Sequence, residues 1–455
     1  MTVDRFREPM TSIILVVLFM CLFSNFPSSR YFILSNIDNP LTAIGPAQAG
    51  TITVTGYCWY HFNTTLLLPI TSARVEIYDE ETTGTVFLGW NYTDYNGYFT
   101  FGPISNNDEL GEDGLDIIVI VNARSSAARV ITPTGGVYSA QSQTFWNCSD
   151  GPFFRNFVTP YDQRGAWWIF SYHFGLTRGW YYLLSTVGYN ASTATCRWPY
   201  ETGPHYHPGG EIHLPDWACW WSDTILHEYG HHVMYRLYGY IPPSIEEHYM
   251  ETKSNSTTAW TEGWAHFFPL AVYNKPTRIV GINATHGVEY NLEAPHWCSP
   301  GWDDGDEVEG RVAGALWDIF DSQNDSAPWY YDRLSDGFQR IWNIMHTTPC
   351  NTFRAFWQAW NATFYAHPKQ NVSQLQDWNR TLTAIFQNSI DYRGPGDVNV
   401  DGIVDIEDIY YAAIRFGVEK GQPTWDYLAD LNHDDIIDIA DVYIASLNQG
   451  KTYDC

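Results

Sequence analysis

Alternation of apolar and polar positions dominates the chain just beyond residue 50. Thr51-Ile-Thr-Val-Thr and Ala73-Arg-Val-Glu-Ile-Tyr alternate with period two, and Asp116 to Val121 is a third apolar run. Period two puts every second side chain on one face of a pleated strand. Between the last two runs, Thr93-Asp-Tyr-Asn-Gly-Tyr-Phe-Thr-Phe sets Asn96-Gly97 before another alternating strand, and Asn-Gly favours the left-handed conformation of a tight turn. Short strands with this punctuation predict a small antiparallel β-sandwich over 50–132.

From about residue 142 the pattern becomes helical. The spacing predicts helices over 223–238, 258–272, 307–320 and 336–345. Arg393-Gly-Pro-Gly396 then reads as a short linker into an acidic C-terminal module. Four regions follow: 1–49 as a signal peptide or N-terminal anchor and leader, 50–132, 133–392 and 396–455. At 455 residues the chain is too long for one compact core.

The helical region carries the densest chemistry. Thr224-Ile-Leu-His-Glu-Tyr-Gly-His-His contains H-E-x-x-H. On a helix His227 and His231 lie one turn apart on the same face, where both imidazoles reach one metal, and Glu228 sits beside them as a base for water. A catalytic zinc takes three protein ligands and keeps one position open. Thr258-Ala-Trp-Thr-Glu-Gly-Trp-Ala-His-Phe-Phe sets Glu262 among large aromatic residues, where a carboxylate is costly to bury without a cation.

These two segments resemble the gluzincin metallopeptidases, the clan of thermolysin and fungalysin, and Glu307-Val-Glu-Gly-Arg-Val-Ala-Gly-Ala-Leu-Trp-Asp resembles a helix that follows their zinc helices. The resemblance implies His227, His231 and Glu262 as ligands of one catalytic zinc and Glu228 as general base. The 31 positions from His231 to Glu262 exceed the compact thermolysin spacing, and His266 stands where thermolysin-like enzymes carry an Asp that orients a ligand His. His266 is a candidate for the same orienting part, acting as a hydrogen-bond acceptor, with plain packing as the alternative. For stabilising the oxyanion the sequence offers His296, Tyr206, His207 and Tyr331, with His296 placed as in thermolysin-like enzymes. Gly209-Gly-Glu-Ile-His-Leu-Pro reads equally as an edge strand, on which the resemblance implies that an extended substrate pairs, or as an ordinary sheet strand.

Residues 50–132 resemble the transthyretin-like or carboxypeptidase regulatory-like domains, structural companions of secreted peptidases. At the other end, two acidic loops repeat after 33 residues. Asp397, Asn399, Asp401, Asp405 and Asp408, with the Ile403 carbonyl, fall on the EF-hand ligand positions. Asp430, Asn432, Asp434, Asp438 and Asp441, with the Ile436 carbonyl, repeat them, while Asp435 replaces the turn glycine Gly402. Each loop runs into a short apolar helix. The pair resembles a type I dockerin, which implies two structural calcium ions and a cohesin-bearing partner; a self-contained calcium-stabilised cap is the alternative. The expected fold class is therefore multidomain: a β-sandwich, a mainly α (α+β) zincin-like peptidase domain, and a small α EF-hand-like calcium module.

Composition fixes the setting. With 51 Asp and Glu against 24 Lys and Arg, the net charge of −27 argues against nucleic acid or an anionic membrane as partner. Ile13 to Phe23 has the length of a signal h-region, and Ala47-Gln48-Ala49 has the form of a cleavage site; only an uncleaved segment would anchor the chain in a membrane. Ten N-x-S/T sequons, at Asn63, Asn91, Asn147, Asn190, Asn255, Asn283, Asn324, Asn361, Asn371 and Asn379, and paired cysteines (Cys58–Cys148, Cys196–Cys219, Cys298–Cys350) fit a secreted glycoprotein. The expected activity is hydrolysis of polypeptide or glycoprotein substrates, endopeptidase by default. A zinc-stabilised adhesin without activity and a glycoprotein-specific peptidase are the competing readings.

Overall fold

The computed structural model describes residues 32–33, 50–107, 114–207, 209–245, 247–293, 301–322, 334, 336–365 and 372–453. The expected h-region and cleavage site, Cys298, Cys455, His296 and Tyr331 lie outside them. The chain divides into two compact units, one reaching Val121 and including Ala140–Arg164, the other made of Asn122–Ser139 and Gly165–Cys455.

In the first unit, β1 (Thr51–His61) is the hub of one sheet. It pairs antiparallel with β2 (Leu66–Pro69), while β3 (Arg74–Glu81) and β4 (Gly84–Tyr92) belong to a second sheet. β5 (Tyr98–Ser105) pairs antiparallel with β1, and β6 (Ile117–Asn122) lies beside β3. Gly151–Phe154 and Phe157–Val158, beyond the 50–132 expected as an antiparallel sandwich, add to β1 in parallel. Alternation does its expected work: Ile52, Val54, Val75 and Ile77 are buried. At the Asn96-Gly97 turn the Asp94 carboxylate accepts from the Asn96 and Tyr98 amides, both at 2.8 Å. Strand β4 had no sequence signal, because it is a sheet edge with Val86, Phe87 and Trp90 exposed.

The expected Cys58–Cys148 and Cys196–Cys219 bridges are not formed. All four are buried thiols that form no disulfide. The Sγ atoms of Cys148 and Cys219 are turned onto carbonyl oxygens of their own loops, Phe145 at 3.1 Å and Asp216 at 3.0 Å.

The second unit opens with β7 (Ala128–Ile131), followed by α1 (Leu176–Val187), β8 (Ala194–Arg197), β9 (His205–His207) and β10 (Glu211–His213). These strands form one sheet in the order β9-β10-β8-β7, with β9 antiparallel at the edge. Of the two readings of 209–215, the ordinary sheet strand holds: β10 is interior and β9 takes the edge. Helix α2 (Ser222–Tyr238) follows and stops at Gly239, whose φ of 78° is the left-handed cap. Helix α3 (Ser256–Tyr273) starts where the Asn255 side chain accepts from the Thr257 and Thr258 amides, and is buried on every side from Thr258 to Val272. A hairpin of β11 (Thr277–Gly281) and β12 (Gly287–Asn291) leads to α4 (Glu309–Phe320), α5 (Gly337–Thr347), α6 (Phe353–Phe364) and α7 (Val372–Gln387). Two glycines let the central helices approach closely. A Cβ at Gly230 of α2 would lie 3.1 Å from the Ala265 Cα, and one at Gly263 of α3 would lie 2.6 Å from Val312 of α4.

The C-terminal loops each lead into a helix, α8 (Ile406–Ala413) and α9 (Ile439–Asn448), and Asp405 and Asp438 close identical capping boxes. This region shares a core with the helices before it: Phe386 of α7 packs with Val398, Trp425, Tyr427, Ala429, Ile437 and Ala445. Arg393 lies over the Phe386 ring at 4.1 Å and donates to the Leu428 carbonyl at 3.0 Å. The short linker is pinned to the module it introduces.

Candidate metal centre

Helix α2 carries His227 and His231 on adjacent turns, and α3, packed against it, projects Glu262 at them. The two Nε2 atoms lie 3.3 Å apart, and Glu262 Oε2 is 3.3 Å from the first and 3.2 Å from the second. All three residues are buried. Zinc bonds of about 2.0–2.1 Å in tetrahedral geometry give ligand-to-ligand edges of about 3.3 Å. The triangle therefore fits zinc in size, in donor type and in number, with a fourth position left over. It is the set of three or more His, Cys, Asp or Glu found converging in this way among the described residues.

Glu228 is buried beside the triangle, and its Oε2 has no hydrogen-bond partner among the described residues. Burial pushes its pKa up to about 7, the range in which a carboxylate both takes and returns a proton near neutral pH.

Around the triangle stand three residues with no local sequence signal. Arg278 of β11 is buried, with Nη1 2.8 Å from His227 Nδ1. Glu309, first residue of α4, is buried and reaches two histidines, His248 Nδ1 at 2.7 Å and His266 Nε2 at 2.9 Å. His248 turns its other nitrogen toward the centre, 4.0 Å from Glu262 Oε1, and Ser244 Oγ donates to that same oxygen at 3.0 Å. The Glu309 carboxylate pushes His248 up to about 9, which makes it a cation and a hydrogen-bond donor.

His266 lies against His227, ring centroids 4.6 Å apart, but its Nε2 faces Glu309 and the His227 Nδ1 faces Arg278. Tyr206 meets His232 Nδ1 at 3.5 Å and the Tyr235 ring, and His207 Nδ1 accepts from the Gly209 amide at 3.0 Å. Those contacts tie Tyr206 to His232 and Tyr235 of α2 and His207 to its own hairpin rather than to the triangle.

The acidic loops repeat in structure as in sequence. Asp397 accepts from the Asp401 and Gly402 amides at 3.0 and 2.9 Å, and Asp430 from those of Asp434 and Asp435 at 3.3 and 3.0 Å. Asp408 and Asp441 likewise accept from the amides at loop positions two and three. Asp435 adopts φ of 68°, close to the 81° of Gly402, so the loop keeps its turn without glycine. The carboxylates lie turned onto these backbone amides.

Among the described residues no helix is long and apolar enough to cross a membrane. No curated protein matches the chain. Among solved structures, a 9R-lipoxygenase from Cyanothece PCC8801 aligns at 15% identity over 46% of this chain and 28% of that one, with a TM-score of 0.20, too low to carry a fold. The chain thus spans under a third of that protein's length. Residues 184–379 match the family model described as the Mycolysin C-terminal domain. That span contains His227, Glu228, His231 and Glu262, and the match fits a gluzincin-type peptidase family, in which zinc is the expected metal.

Proposed function

We propose that this chain is a secreted zinc-dependent endopeptidase that hydrolyses polypeptides, held to a larger assembly through its C-terminal calcium module. The observation that carries the reading is the buried Glu228 carboxylate, with an orphaned oxygen, beside three metal-ligand atoms 3.2–3.3 Å apart. An unsatisfied buried acceptor costs about 1–3 kcal/mol. A structural zinc site in an adhesin has no use for it; a hydrolase does.

When bound, zinc supplies Lewis acidity that polarises a peptide carbonyl and acidifies water. Glu228 takes the proton from the attacking water and delivers it to the departing amine. His248, charged and a quarter exposed, points Nε2 to the same side as Glu262 Oε1 and donates to the oxyanion as it forms. Glu309 holds His248 from behind, and Ser244 fixes the second oxygen of Glu262. The free edge of β9 offers backbone groups to an extended substrate.

The module supports a docking role by its duplicated exposed surface. Ile406, Tyr410 and Ile414 are 64, 65 and 58% exposed, and their repeat mates Ile439, Tyr443 and Leu447 are 66, 62 and 64% exposed. Apolar side chains left outside at matching places in both halves suit a cohesin-type partner. Two calcium ions, one in each loop, would draw the loop carboxylates inward from the backbone amides. The test of the activity is digestion of an unfolded polypeptide by the full chain. Chelation should abolish cleavage and added zinc restore it; cleavage that survives exhaustive removal of zinc sinks the proposal.

A further inference from the structure

We propose that the β9–β10 hairpin holds a second transition-metal site, in which His205 Nε2 and His213 Nδ1 bind one borderline divalent cation such as Zn2+, Ni2+ or Cu2+, with His207 alongside. Antiparallel pairing sets His205 opposite His213 and His207 opposite Glu211, so all four side chains share one face of the hairpin. His205 Nε2 and His213 Nδ1 lie 3.0 Å apart, close to the edge of the zinc triangle. The His207 ring stacks on that of His213 with centroids 5.3 Å apart, and Tyr200 covers His213 at 4.0 Å.

The protons show why a cation belongs there. His205 Nδ1 lies 2.9 Å from the Gly203 carbonyl, which can only accept, so that nitrogen carries the hydrogen and Nε2 is a bare lone pair in the neutral ring. His213 Nδ1 faces this lone pair, and His213 Nε2 faces the Glu211 carboxylate at 3.3 Å. A neutral imidazole has one N–H and two acceptors to satisfy. With an acceptor facing each ring nitrogen, the neutral, buried His213 leaves one of these two contacts without a hydrogen. Arg197 clamps Glu211 through Nε at 3.1 Å and Nη2 at 3.0 Å, which keeps the carboxylate in place and partly neutralised.

A cation between the two nitrogens removes the conflict. It takes both lone pairs, and His213 then keeps its hydrogen on Nε2 for Glu211. Each imidazole would donate its remaining N–H to an oxygen, one to a backbone carbonyl and one to a carboxylate, the outer arrangement that orients metal-ligating histidines. Two imidazoles plus water suit Zn2+, Ni2+ and Cu2+ rather than Ca2+ or Mg2+. With fewer ligands than the His-His-Glu triangle, this site is the weaker of the two.

Equilibrium dialysis of the calcium-saturated full chain against zinc tests it. Wild type should hold two zinc ions, one tight and one weak. His205→Gln should lose the weak one and keep the tight one, while His227→Ala should do the reverse, which separates this site from the proposed catalytic centre. Because a substitution on the hairpin could disturb the sheet, copper bound by the wild type gives a second readout: its electron paramagnetic resonance should show nitrogen coupling from imidazoles that His205→Gln reduces. A single zinc per wild-type chain, two in His205→Gln, or copper coupling unchanged by that substitution overturns the proposal.

Discussion

One methyl group added at Gly263 should loosen the protein's hold on its metal. Gly263 follows Glu262 on α3 and faces α4, where a Cβ would lie 2.6 Å from Val312 Cγ1, 2.7 Å from Val312 Cβ and 3.1 Å from the Glu309 carbonyl oxygen. Carbon atoms rest at about 3.5–4.0 Å, so the helices must separate by about 1 Å. Rotating Val312 cannot relieve this, because its Cβ is fixed to the backbone. Overpacking of this size costs about 1–3 kcal/mol. The same shift moves Glu262 against two histidines and moves Glu309 away from His248. Zinc geometry tolerates about 0.2 Å, so zinc affinity should fall about 10–100-fold. Competition with a chromophoric chelator measures that affinity, and thermal unfolding of the metal-free protein measures the packing cost. Gly263→Ala combined with Val312→Gly removes both Val312 carbons that the methyl meets and should recover part of the zinc affinity. Wild-type affinity in the single variant, or no recovery in the double, would refute the reasoning.

His248→Ala should lower kcat about 10²–10³-fold with little change in KM or zinc content, the pattern of lost oxyanion stabilisation; a rise in KM alone would make His248 a binding residue. Phe386→Ala should destabilise the C-terminal region by about 3–5 kcal/mol, because the ring is buried in the shared core under Arg393. A denaturant midpoint unmoved by that change would mean the module stands alone. His173 is buried with no partner for Nε2 among the described residues, and burial holds its pKa down to about 4. The unfolded chain takes up this proton near pH 6.5 and the native state near 4, so stability rises with pH across that window, by about 3 kcal/mol from this group. His173→Phe should flatten the stability profile between those values; an unchanged slope would place the titration elsewhere.

The ligand triangle was legible because its parts are local. H-E-x-x-H states its geometry through helical spacing, and Glu262 stands out as an acid within an aromatic helix. His248, Arg278 and Glu309 carry no such mark: they come from a loop, a hairpin and a helix start, and only packing brings them together. His266 shows the limit of reasoning by position, since being four residues beyond Glu262 placed it beside His227 but not in bond with it. Helix α6 does carry a helical stripe, with Phe353, Phe356, Trp357, Trp360 and Asn361 buried at helical spacing, so its existence is written in the sequence. Sequence spacing suggested cysteine pairs, while orientation left Cys148 and Cys219 facing carbonyl oxygens.

The most direct test of the central claim is cleavage by a Glu228→Gln variant of the zinc-loaded chain, compared with wild type on one unfolded polypeptide by mass spectrometry. The substitution keeps the shape of the side chain and all three ligands, so zinc content should stay at the wild-type level while fragments disappear. Fragments formed at equal rates by both proteins would contradict the account, because the buried carboxylate beside the metal would then have no part in the chemistry.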